Sequence, residues 1–129
     1  MKRINPPTKT RLTDAEASAV VNDLLEILAK FTQELTEQAI ATAELHARIN
    51  TEPPGSLAHQ RSNIFQIEID RMTSYSRSIA HNMTAIAATD WPDVYNRMAL
   101  RLILQLANLR DQMDTSIDEL AMLRVDPNL

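Results

Sequence analysis

Residues 13–50 read TDAEASAVVNDLLEILAKFTQELTEQAIATAELHARIN and contain neither glycine nor proline. Within them, the positions that suit a buried seam recur at alternating steps of four and three: Ala17, Val21, Leu24, Leu28, Phe31, Leu35, Gln38, Thr42, Leu45 and Ile49. A period of about 3.5 residues keeps one side of an α-helix turned toward a neighbouring helix along its whole length. We therefore predict one long amphipathic helix.

The predicted helix has a marked start and two polar seam positions. Thr13 and Glu16 fit the capping box, in which the threonine hydroxyl and the glutamate carboxylate each accept the other residue's backbone N–H. Gln38 and Thr42 interrupt the apolar seam. Polar seam residues often fix the register or the number of helices that pack together. A position at the edge of a bundle is the alternative interpretation.

Two further glycine-free stretches, residues 56–88 and 90–124, carry apolar residues at helical spacing. The segments between the stretches favour turns, because they contain prolines and the single glycine: Thr51-Glu52-Pro53-Pro54-Gly55 and Thr89-Asp90-Trp91-Pro92. The predicted buried positions are Leu57, Ile64 or Phe65, Ile69 or Met72, Tyr75, Ile79, Met83 and Ile86 in the second helix, and Tyr95, Met98, Leu102, Leu106, Leu109, Met113, Ile117 and Leu120 in the third.

The third helix also has start signals. We predict that Asp90 is its N-cap and that Pro92 lies in its first turn, since both residues favour these positions. Trp91 is expected to close one end of a helical bundle. One local pattern conflicts with helix: residues 65–69 alternate between apolar and polar, as in a strand. A lone strand has nothing to pair with, so we predict helix there as well.

These elements predict an all-α fold, an elongated antiparallel bundle of three long helices that is completed by self-association. Residues 1–12 are expected to be a flexible basic N-terminal arm, residues 13–124 a single helical-bundle domain, and residues 125–129 a short C-terminal tail. Each helix would span on the order of 50 Å, and three rods of that length enclose a thin core. A thin core favours a homo-oligomer, and we expect a homodimer.

The middle of the third helix is more apolar than one buried face requires. Four residues make a second apolar region, here called the α3 patch: Leu100, Ile103, Leu104 and Ala107. Asp111, Asp114 and Asp118 follow on the same side and bound it. Two interpretations are open. Either the third helix is central and the other helices cover the patch, or the patch is a candidate interface for a second copy, a partner protein or an apolar surface.

The charge distribution argues against nucleic-acid binding. Lys2, Arg3, Lys9 and Arg11 make the first twelve residues basic, whereas the rest of the chain holds all 17 acidic side chains. Proteins that bind DNA or RNA need a basic face that displaces counterions from phosphates. We therefore predict no nucleic-acid partner.

The sequence also lacks the residue patterns of enzymes and metal sites. His46, His59 and His81 have no partner ligand at helical spacing, and none belongs to a Glu-x-x-His pair of the di-iron type. Calcium and phosphate loops need glycine turns, and the chain has one glycine. No serine lies at a suggestive spacing from a histidine. We predict a binding protein rather than an enzyme, with no catalytic residue, metal or cofactor.

Cysteine usage and hydropathy indicate a location. The chain has no cysteine, which fits a reducing cytoplasm. The N-terminus has no apolar signal-peptide core, and no segment approaches the roughly 18 apolar residues of a membrane span. We predict a cytoplasmic protein without a transmembrane segment.

At the junction Ala87-Ala88-Thr89-Asp90-Trp91-Pro92-Asp93-Val94, small residues and a proline-bearing turn lead from one amphipathic helix into another. In this layout residues 65–123 resemble the phasins, small bacterial helical proteins that coat polyhydroxyalkanoate storage granules. The resemblance implies a non-enzymatic amphiphile that lays apolar helix faces on a hydrophobic polyester surface and presents acidic faces to the cytoplasm. The α3 patch suits that role.

A helical adaptor or secretion-type chaperone is the alternative. Such a protein would hold a segment of one partner protein along an exposed apolar seam. Periodicity does not separate the two functions, because a polyester surface and a partner helix require the same leucines.

Overall fold

The structure is a computed structural model that describes the backbone of residues 11–51 and 58–125, and the side chains of residues 11–47 and 64–124. Within these ranges it contains three long α-helices and no strand: α1 (Asp14–Thr51), α2 (Ala58–Ala88) and α3 (Asn96–Val125). The prediction of an all-α chain with three long helices is confirmed. The predicted turn at 53–55, residues 1–10 of the arm and residues 126–129 of the tail lie outside the described residues.

The start of α1 has the predicted capping box. The backbone N–H of Thr13 donates to Oε1 of Glu16 at 2.9 Å, and the N–H of Glu16 donates to Oγ1 of Thr13 at 3.1 Å. Two N–H groups that the helix cannot satisfy internally thus find acceptors. The helix continues without a break to Thr51.

The predicted α1 seam faces the core. Ala17, Val21, Leu24 and Phe31 are buried, and Leu28, Leu35 and Leu45 pack against the buried cluster. The side chain of Ile49 lies outside the described residues. In α2, the open choices resolve to Phe65 and Met72, which are buried with Ile79 and Ile86. The alternating residues 65–69 are helical, as predicted.

Where α2 and α3 are in contact, later residues of α2 meet earlier residues of α3. Arg124 of α3 donates a hydrogen bond to Gln66 near the start of α2. Further along α2, Ser76 donates to Asp114 at 2.8 Å and lies 3.4 Å from Nε of Arg110. The core receives five long buried side chains from α3: Leu102, Leu106, Leu109, Met113 and Leu120.

The prediction that Asp90 is the N-cap of the third helix is wrong. A 3-10 helix at Asp93–Tyr95 precedes α3, and Pro92, not Asp90, occupies its N-cap position. Asp90 instead accepts the backbone N–H of Leu12 through its carbonyl oxygen at 3.0 Å. The Asp90 carboxylate is therefore free to face the N-terminal segment rather than the helix end, and it lies 3.5 Å from Nε of Arg11. Trp91 is buried in the core, 5% exposed.

One predicted buried position of α3 is also wrong. Met98 is 39% exposed, whereas its neighbour Ala99 is buried. Ala99 lies three helical turns before Arg110, which contacts α2, so it is on the side of α3 that meets α2. Within the described residues, α3 lies close to α2 over more of its length than it does to α1, which agrees with the burial of Ala99.

Candidate functional site

The candidate site is the outward side of the first half of α3. Leu100 and Leu104 are one helical turn apart and are 58% and 62% exposed. Leu102 and Leu106, which alternate with them along the chain, are buried on the opposite side. The helix is thus apolar on two opposite sides, and the chain covers only one of them.

The other two residues of the α3 patch lie closer to α2. Ile103 and Ala107 are half-buried. They lie two turns before Arg110 and Asp114, both of which contact Ser76 of α2, so they occupy the same side of the helix. The interpretation in which the other helices cover the whole patch is therefore wrong for Leu100 and Leu104.

The predicted acidic boundary is only partly on the outward side. Asp111 and Asp118 are exposed, as expected for residues that bound a surface patch. Asp114 is exposed too, and its carboxylate accepts a hydrogen bond from Ser76 of α2. Asp114 therefore borders the α3 patch on the side toward α2.

Two more apolar side chains near the start of α3 are exposed. Val94 in the 3-10 helix is 79% exposed, and Met98 is partly exposed. The sequence pattern did not single out Val94, because one aliphatic residue beside a turn has no periodicity to reveal it. Together with Leu100 and Leu104, these residues concentrate apolar surface in the first half of α3.

A polar cluster lies between α1 and α2. Gln38 is 1% exposed; its amide nitrogen donates to Oγ1 of Thr42 at 2.6 Å, and its amide oxygen accepts from Nη2 of Arg71 at 3.2 Å. The same Arg71 guanidinium lies 3.7 Å from Oε2 of Glu34 and 2.6 Å from Oε2 of Glu68. Of the two interpretations of Gln38, the position at a bundle edge does not fit its burial, because the side chain lies in the buried seam and is hydrogen-bonded to α2.

Two pKa values are raised in this cluster. Partial burial alone would lower the pKa of Arg71, but the hydrogen bond and negative charge of Glu68 outweigh it, and the pKa is raised. Burial, followed by the charge of Glu34, raises the pKa of Tyr75 above its ordinary value. Both shifts favour the protonated state, a charged guanidinium beside a neutral phenol. Sequence reasoning missed Arg71, because its role depends on the register between two helices.

Open grooves flank α1 on both sides. The groove between α1 and α2 is lined in part by Leu45 and Ile64. Between α1 and α3, one groove includes Leu25 and another includes His46. Among the described residues, the buried Nε2 of His46 has no hydrogen-bond partner. Packing around α1 is therefore incomplete, and one buried polar atom is left unsatisfied.

Within the described ranges, no group of three or more His, Asp or Glu side chains is arranged to hold a metal ion. None of the described helices combines the length and apolar character that a membrane crossing requires.

No protein-family model, curated protein or solved structure matches this chain.

Proposed function

We propose that this chain is a non-enzymatic binding protein that coats hydrophobic polyester storage granules in the bacterial cytoplasm, as phasins do. The exposure of Leu100 and Leu104 carries this proposal, because the opposite side of the same helix already fills the core. Contiguous exposed apolar side chains are a typical sign of a contact surface. Binding to a polyester surface requires apolar side chains but no shaped pocket, and the exposed side chains of Leu100 and Leu104 meet that requirement.

The proposed architecture is an antiparallel bundle whose helices run up, down and up. The contacts between α2 and α3 support it, because residue numbers that rise along α2 are paired with numbers that fall along α3, from Gln66 with Arg124 to Ser76 with Asp114. The pairing of Gln38 in α1 with Arg71 in α2 fits the same arrangement. Away from a particle, we propose that two copies cover each other's α3 patch, which makes the free protein a homo-oligomer.

Replacement of one patch leucine by a carboxylate tests the proposal. Leu104→Asp should lower adsorption to polyhydroxybutyrate particles by at least about tenfold, because burial of a leucine contributes about 1.5–3 kcal/mol and a buried carboxylate adds a penalty. The measurement is the fraction of protein that sediments with the particles over a concentration series. Fold is checked by circular dichroism.

Ile40→Asp is the matched control. Ile40 is 54% exposed on α1, so the substitution places the same charge on a similarly exposed apolar position outside the α3 patch. We expect it to adsorb like the wild type. Equal losses for the two variants would contradict a role for the patch, since a general effect of charge would then explain both.

An adaptor or chaperone is the second candidate, and the groove between α1 and α3 favours it. Leu25, Leu28 and Leu109 line one part of this groove, and apolar grooves between helices accept amphipathic segments of partner proteins. An adaptor would ignore polyester particles, and its binding would depend on Leu28 rather than Leu104. A folded wild-type protein that does not sediment with the particles would favour this candidate.

A further inference from the structure

The exposed side of α3 changes in charge from the start of the helix to its end. Residues seven positions apart share one side of a helix, and two adjacent rows at this spacing are exposed throughout. Together with Leu100 and Glu119, which are also exposed, these rows are here called the α3 outward face: Arg97, Leu104, Asp111 and Asp118, and Arg101, Asn108, Thr115 and Met122. The face begins with two arginines, has leucines and neutral side chains toward its middle, and is acidic in its second half.

The charges at the two ends of this face do not neutralise each other within one molecule. Among the described residues, none of the ion pairs involves Arg97, Arg101, Asp118 or Glu119. Arg97 and Glu119 are separated by about 33 Å along the helix, because an α-helix rises 1.5 Å per residue. Exposed charges that far apart are screened from each other at physiological salt. Both ends are therefore available to a second molecule.

A second copy of α3, laid antiparallel on this face, carries the matching charges. Its acidic end meets Arg97 and Arg101, and its own two arginines meet Asp118 and Glu119. A two-fold axis makes the second contact whenever the first one forms. A parallel copy would instead place arginine against arginine and carboxylate against carboxylate. The charge pattern therefore favours a copy of this chain in one orientation, and a flat apolar surface has no charges that would match it.

The middle of the face supplies the apolar contact. The two-fold axis would pass near Asn108, which is midway in sequence between Arg97 and Glu119. Leu104 then lies opposite Gln112 of the second copy, which is exposed and uncharged. Burial of exposed leucines favours association, whereas charges at the rim of an interface mainly select the partner and its orientation.

We propose that two copies of this chain pair through the α3 outward face, antiparallel, with the arginines at the start of each α3 against the carboxylates near the end of the other. The pairing rests on the homo-oligomer of the proposed function. It specifies the face, the orientation and the charges by which one copy recognises the other. Leu100 and Leu104 are covered in this dimer.

Two charge-reversed variants test the pairing: Arg97→Glu/Arg101→Glu and Asp118→Lys/Glu119→Lys. Each should raise the Kd of self-association by at least about tenfold at low salt, because like charges then face each other at both ends. An equimolar mixture of the two variants should form a heterodimer with a Kd close to that of the wild type, because opposite charges meet again at both ends. Sedimentation equilibrium over a concentration series measures all three values.

Lys30→Glu/Arg77→Glu is the matched control. Lys30 and Arg77 are exposed on α1 and α2, and their reversal changes the net charge as much as reversal of the two α3 arginines does. This variant should self-associate like the wild type, and circular dichroism checks the fold of every variant. The inference is overturned if either α3 variant self-associates as tightly as the wild type, or if the mixture associates no more tightly than each variant alone.

Adsorption to polyhydroxybutyrate particles separates failure of this inference from failure of the proposed function. A wild-type protein that forms the charge-dependent dimer but does not sediment with particles overturns the coating function and leaves the interface established. A folded wild-type protein that sediments with particles but stays monomeric across the concentration series overturns the inference and leaves the coating function standing.

Discussion

At the scale of single residues, Gln38 shows what a polar side chain does in an apolar seam. It is fully buried, and both ends of its amide are hydrogen-bonded, one to Thr42 in its own helix and one to Arg71 in α2. A buried amide that finds partners in only one alignment of two helices penalises every other alignment. Gln38 therefore contributes to the register of α1 more than to its stability.

Gln38→Leu tests that assignment. We expect the free energy of unfolding to stay the same or to rise by about 1 kcal/mol, because an apolar side chain of similar size replaces a buried amide and Arg71 keeps its two carboxylates. Urea denaturation measures it. Gln33→Leu, an exposed change on the same helix, is the control and should be neutral. A loss of more than about 1 kcal/mol in Gln38→Leu alone would show that the amide is needed for stability.

The raised pKa of Tyr75 predicts how the stability of the protein changes with pH in the alkaline range. Its ring lies 5.0 Å from that of Phe31, and burial, with the charge of Glu34, raises its pKa above the ordinary value of 10.0. The unfolded chain loses the phenol proton first as the pH rises. Stability should therefore be constant with respect to this group below about pH 10 and fall above it, until the folded protein also loses the proton.

Tyr75→Phe removes this contribution and keeps the ring. Between about pH 9 and pH 11, the variant should lose less free energy of unfolding than the wild type does, since every other titrating group is shared by the two proteins. Urea denaturation at the two pH values measures the difference. Equal losses would mean that Tyr75 titrates alike in the folded and unfolded chain.

At the scale of helices, the capping box at the start of α1 has a measurable value. Thr13→Ala should lower the free energy of unfolding by about 1 kcal/mol, because the N–H of Glu16 loses its acceptor. Thr36→Ala is the matched control in the same helix. Thr36 donates only to the carbonyl oxygen of Thr32, and alanine is the better helix former, so we expect no loss. Thermal unfolding of both variants decides whether the cap contributes.

The helices also show which features are predictable from the sequence. Local signals located them: the capping box of Thr13 and Glu16, and the seam from Ala17 to Leu45. Asp90 was misassigned because a good N-cap residue can also accept from a distant N–H, here that of Leu12. Distances between helices decide such choices, and helical periodicity contains no information on them.

The candidate site was predictable only in part, because helical spacing shows which residues share a side of α3 but not which neighbouring helix lies beside them. Spacing alone placed the α3 patch on the side opposite the seam, and the exposure of Leu100 and Leu104 agrees with that placement. Spacing could not assign Ile103 and Asp114 to the α2 side, because that depends on which neighbour lies closer. It also could not reveal that Arg71 joins two helices.

At the scale of the whole molecule, the apolar side chains fall into two groups. The seam residues of three helices form one thin core, and Leu100 and Leu104 stay outside it. On a hydrophobic particle, we propose that Leu100 and Leu104 contact the polyester while the exposed acidic side chains stay in water.

The central claim is that this protein binds hydrophobic polyester surfaces. Light scattering of the purified protein at several concentrations, with and without polyhydroxybutyrate particles, tests it most directly. We predict a concentration-dependent oligomer in the absence of particles, and loss of that species from solution as the protein adsorbs when particles are added. A stable dimer or tetramer whose concentration does not change when particles are added would contradict the claim, because its apolar faces would already be covered by protein.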